Sequence, residues 1–95
     1  MEDFIPLKGT TVAHVSVFYK YRRGRPGQTD IKHACIDMRR VESIFWPADD
    51  RDPGCFVQLI DGNDPIHVAL EYPQFCSHMH TCLVEGIRFE QGLWR

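Results

Sequence analysis

The chain has 95 residues, of which 43% are hydrophobic and 12% aromatic, the length and composition of one folded domain with one core. No apolar run approaches the length of a signal core or a membrane span, so the expectation is a cytoplasmic protein with no membrane partner. The net charge of −2 hides an uneven distribution. Residues 20–40 carry a surplus of five positive charges and residues 42–71 a surplus of six negative ones, a bipolar surface able to steer a charged partner.

In chain order, Thr10 to Tyr21 reads as a strand. Ala13, Val15, Val17, Tyr19 and Tyr21 alternate with His14, Ser16, Phe18 and Lys20, the period of two of a half-buried strand. Arg22 to Asp30 holds two glycines and a proline and reads as a loop. Ile31 to Met38 and Val41 to Trp46 are the next strands, or one long bent strand; the second is rich in β-branched and aromatic residues. Pro47 to Gly54 is a polar loop.

The clearest local signal follows. Cys55 to Ile60 and Ile66 to Leu70 flank Asp61-Gly62-Asn63-Asp64, a hairpin turn signal. Closure over Gly62-Asn63 predicts the pairs Leu59 with Ile66, Val57 with Val68 and Cys55 with Leu70 on one buried face. Phe56, Gln58, His67 and Ala69 then occupy the other face. Helical period appears once. Pro73 suits a first helical position, Phe75, Cys76, Met79, Leu83 and Ile87 repeat at helical spacing, and Gly86 sits where a C-cap glycine would. This predicts a helix over about 73–85, then a short strand or ordered tail from Ile87 to Trp94. The fold expected is an antiparallel β-sheet of about five or six strands with one α-helix on one face.

Cys35, Cys55, Cys76 and Cys82 are expected as free thiols in buried or half-buried positions. Cys76, His78, His80 and Cys82 lie within seven residues, which raises the possibility of a metal-binding domain. On a helix, however, the Cys76/His80 and His78/Cys82 pairs point in nearly opposite directions, and the spacing matches no standard zinc pattern. No cofactor is expected.

No phosphate loop, nucleophile elbow or paired-carboxylate motif is present, and the expectation is a protein that is not an enzyme. Arg22-Arg23-Gly24-Arg25-Pro26 offers a different chemistry. Arg23-Gly24-Arg25-Pro26 resembles the core of the AT-hook, a DNA-binding segment. The resemblance covers four residues and implies a regulator that lays Arg22, Arg23 and Arg25 in an AT-rich minor groove. The usual flanking basic residues are replaced here by Gly27-Gln28-Thr29-Asp30.

One helix cannot cover both faces of a five- or six-stranded sheet, so aromatic surface is left over. The leading expectation is a non-enzymatic protein that acts stoichiometrically on a larger protein or complex through Trp46, Phe56 and the acidic Asp49, Asp50 and Asp52. Inhibitors encoded by phages and mobile elements, the anti-CRISPR proteins among them, share this size and lack of catalytic motifs. A homodimer through an open sheet edge is a further expectation.

Overall fold

The computed structural model describes residues 4–6, 10–20 and 30–90, with the side chains of Pro6 and residues 87–90 excepted. It shows a six-stranded antiparallel sheet and a single helix packed on it. The strands are β1 (Phe4–Pro6), β2 (Val12–Lys20), β3 (Asp30–Asp37), β4 (Val41–Phe45), β5 (Cys55–Leu59) and β6 (Ile66–Val68), followed by α1 (Tyr72–Glu90). The arginine run Arg22, Arg23 and Arg25 lies outside the described residues. No helix among the described residues is long and apolar enough to cross a membrane.

β2 organises the sheet. Val15 pairs with both Phe4 of β1 and Ala34 of β3, and Val17 pairs with both Lys32 of β3 and Val68 of β6. A strand has two edges, so β3 occupies one along its length while β1 and β6 share the other end to end. β5 and β4 follow β6 outward. β3 and β4 thus lie at opposite ends of the pairing order, yet only a 3-10 turn, Met38–Arg40, joins them. In a flat sheet they would stand roughly 19 Å apart, whereas the steps from Asp37 to Val41 reach about 14 Å at most. The sheet therefore coils. The turn is tied at both ends of the coil: the Met38 amide donates to the Thr11 carbonyl at 2.8 Å, and the Ile60 amide to the Arg40 carbonyl at 2.7 Å.

Alternation along the strands separates two faces. Phe4, Ala13, Val15, Val17, Ile36, Cys55, Val57 and Val68 point toward α1 and are buried with Met38. From the helix, Phe75 and Cys82 enter this core, flanked by Tyr72, Met79 and Leu83, the stripe that a 3.6-residue period provides. The Phe4 ring rests on His78, centroids 4.6 Å apart.

Four local expectations are corrected. The hairpin of β5 and β6 pairs Val57 with Ile66 and Cys55 with Val68, two residues away from the predicted register. The turn closes early: Gly62 N–H donates to Leu59 O, Asp61 takes φ +66, and the Gln58 side chain donates to the Leu59 and Gly62 carbonyls. A slip of two keeps every side chain on its face, so the apolar set is as expected although its partners differ. The helix runs from Tyr72 to Glu90, replacing the predicted end near residue 85 and the strand or tail after it. Gly86 lies within the helix; a Cβ there would press on Thr11 Cγ2 at 2.7 Å, so glycine serves close packing against the start of β2. β3 and β4, by contrast, are the two separate strands expected rather than one long bent strand, divided by the 3-10 turn. Cys35, expected buried or half-buried, is exposed, because it sits on the sheet face away from α1. The strand β1 was not legible from so short an apolar run.

Candidate functional site

The face away from α1 is built by the other parity of each strand. His14, Ser16 and Phe18 of β2 stand opposite Cys35, His33 and Ile31 of β3, and Ile5 of β1 lies opposite His14. Phe56 of β5 stands opposite His67 of β6 on one side and Phe45 of β4 on the other. Because β6 borders β2, the two halves join. The His67 ring stacks on Phe56 at 4.3 Å and tilts against Phe18 at 4.6 Å.

The result is a row, Ile31–Phe18–His67–Phe56–Phe45, that crosses five strands from one sheet edge to the other. Its middle is half-buried by mutual contact. Its ends are open: Ile31 is 54% exposed and Phe45 49%. On the β2–β3 ladder the charged side chain of this face is Asp37, at the strand end; the bulge between Phe18 and Lys20 sets Lys20 opposite Asp30, whose parity is that of the other face. Asp37 is held in place by the Thr11 hydroxyl at 2.9 Å and the Arg39 amide at 3.0 Å. Burial pushes its carboxyl up, but these bonds and the Arg39 charge outweigh that and leave it below the usual range.

The acidic loop borders the row. His67 Nε2–H donates to the Pro53 carbonyl at 2.8 Å. Gly54, at φ +78, is buried, and a Cβ there would collide with the Val68 carbonyl and press on the Phe18 ring. The Gly54 amide donates to Glu71 at 3.2 Å. Within the loop, Asp49 accepts from the Arg51 amide at 2.8 Å and from its guanidinium at 3.1 Å. Asp50 is exposed, and Asp49 and Asp52 are half-buried.

Of the residues expected to bind a partner, Phe56 sits in the row, and Asp49, Asp50 and Asp52 lie in the loop beside it. Trp46 does not join them. One position past Phe45 it turns to the helix side and stacks on Tyr72, centroids 4.5 Å apart, while staying 60% exposed. The expected metal run lies on α1, where Cys82 is buried with its thiol on the Thr10 carbonyl, Cys76 is half-buried, and His78 and His80 are exposed. No three His, Cys, Asp or Glu side chains among the described residues are placed to share a metal ion. Phe18 and Phe45 belong to the aromatic surface expected to be left over, whereas Ile31 and His67 were not singled out in the sequence. Their parity was readable, but which strands would lie side by side was not. No protein-family model, curated protein or solved structure matches the chain, so its function is read from this geometry alone.

Proposed function

We propose that the protein is a small non-enzymatic binding domain that docks stoichiometrically onto a larger protein or complex through the face away from α1. The edge-to-edge row carries this reading. A single helix covers one side of the sheet, and the other side presents aromatic and aliphatic side chains with no charge between them. Interfaces concentrate their energy in such central anchors and surround them with a polar rim. Ile31 and Phe45 are the open anchors. Asp49, Asp50 and Asp52 form an acidic rim, so the partner surface is apolar at its centre and basic beside it.

The test is affinity capture from the native cell with nuclease-treated lysate, followed by reconstitution with the captured protein. A one-to-one complex should form with the wild-type chain and with Trp46→Ala, and be lost with the pair Ile31→Ser and Phe45→Ser. Equal binding by the face variants would sink the proposal.

One observation favours a second reading. Near the end of β2, Tyr19 is 57% exposed, with Lys32 Nζ 4.8 Å and Lys20 Nζ 5.3 Å from its ring centroid. An exposed ring between lysines suits stacking and phosphate contact with nucleic acid, and Arg22, Arg23 and Arg25 adjoin it in the chain. Binding to AT-rich duplex that weakens steeply with salt, and further on replacing Arg23 and Arg25 by Ala, is the outcome this reading requires.

A further inference from the structure

The strand register sets His14 of β2 directly opposite Cys35 of β3. The Cys35 sulfur lies 3.4 Å from His14 Nδ1 and 3.6 Å from Nε2. The pair is exposed at the thiol and held on the longest strand ladder of the sheet. The other thiols are differently placed. Burial pushes the Cys55 thiol up to about 12, with the neighbouring Cys76 and Glu71 adding to it. Burial likewise raises Cys82, reinforced by Asp37 and Glu85. Cys76 is half-buried on α1. Thiol chemistry runs through the thiolate, and an imidazole within reach of an exposed sulfur is the arrangement that generates it.

We propose that Cys35 and His14 form a thiol–imidazole pair that makes Cys35 the site of reversible mixed-disulfide formation with small disulfides of the glutathione class. The Cys35 thiol passes its proton to a His14 ring nitrogen. The thiolate attacks one sulfur of the incoming disulfide, and the new S–S bond forms as the old one breaks. The leaving thiolate departs with the electron pair and recovers the proton from His14. Cys35 and the bound half of the reagent end as a disulfide, and the other half is reduced to a free thiol. Attack of a second small thiol on the mixed disulfide restores Cys35.

Among the described residues, the neighbouring titratable groups on this face are engaged elsewhere. From β3, His33 is engaged by the Ser16 hydroxyl at 3.4 Å, and Asp37 by Thr11 and Arg39. From β1, the facing residue is the apolar Ile5. α1 packs on the other face of the sheet. The proposal is independent of the docking role of this face.

The experiment treats the folded full-length chain with oxidised glutathione and maps adducts by peptide mass spectrometry against time and pH. One glutathionyl group should appear first on Cys35, and Cys35→Ser should abolish that first adduct. His14→Gln, with an unchanged circular dichroism spectrum, should slow it about tenfold at pH 7, with the difference closing near pH 10, where thiols ionise unaided. His14→Phe is the second variant, keeping a ring without nitrogen. A third comparison needs no substitution: Cys35 in the folded chain should react about tenfold faster at pH 7 than the same cysteine in a short peptide of residues 30–38. First modification at Cys76, equal rates for the wild type and folded His14 variants at pH 7, or equal rates for chain and peptide would overturn the proposal.

Discussion

His67 lies nearly flat on Phe56, ring centroids 4.3 Å apart and planes 19° from parallel. The same imidazole leans on Phe18 and donates from Nε2 to the Pro53 carbonyl. One side chain therefore joins three strands and pins the acidic loop beside them. These contacts hold the side chains at the centre of the open face against one another, and side chains already so held lose less entropy when a partner covers them.

A double-mutant cycle measures that contact. His67→Ala should cost about 1–3 kcal/mol through the lost stacking and the carbonyl left without its donor. Combined with Phe56→Ala, it should show a coupling of about 0.5–1.5 kcal/mol in urea denaturation. Strict additivity would mean that the two rings do not hold each other in solution.

Core and open face should respond unequally to truncation. Phe75 is fully buried against the sheet, and Phe75→Ala should cost about 3–5 kcal/mol as transfer energy and cavity. Phe45 has the same side chain but is 49% exposed, and Phe45→Ala should cost about 1 kcal/mol or less. Equal losses in the two variants would contradict the assignment of faces.

Gly54 holds φ +78 where a Cβ would run into the Val68 carbonyl. Gly54→Ala cannot be relieved by a side-chain rotation, since the obstacle is backbone. A loss of at least about 1–3 kcal/mol, seen as a lower urea midpoint, is expected. At Gly62 a Cβ would meet the Leu59 carbonyl at 3.3 Å rather than collide with it, so alanine there should cost less than at Gly54.

Two acids, the half-buried Asp37 and the buried Cys55, should shape the pH dependence of stability from opposite ends. Asp37 is held below its ordinary value of 3.8. Its contribution is present above that value and is lost as pH falls through the folded one, so Asp37→Asn should flatten the acid limb of the stability curve. Cys55 is raised from 9.0 to about 12 by burial first and neighbouring charge second. Its contribution is complete below pH 9 and disappears between there and about 12, where only the unfolded thiol ionises. Cys55→Ala should therefore lose less stability than the wild type over that alkaline window, as read from urea midpoints at several pH values.

The sheet faces were legible in the sequence because alternation of period two survives any slip of two residues. His67 and Phe56 were therefore placed on one face, and Val57 and Val68 on the other, even though the hairpin register moved. The helix was legible from the spacing of Phe75, Met79 and Leu83. Its end was not, because Gly86 reads as a stop from local propensity alone, and only the approach of Thr11 shows why glycine stands inside the helix.

Composition, alternation and one helical stripe thus determined the α+β class, the apolar face of each strand and the surplus of aromatic side chains over what one helix can cover. Those are local properties, set by periods of 2 and 3.6 along the chain. Strand order was decided only in three dimensions. That β6 lies against β2, so that Phe18 meets His67, and that β3 lies against β2, so that His14 meets Cys35, depends on pairings between residues 10 to 51 positions apart. No short stretch of sequence contains that information; it follows from burying Phe4, Val15, Val68 and Phe75 in one core, which forces the sheet to coil and leaves the row of rings on its outer side.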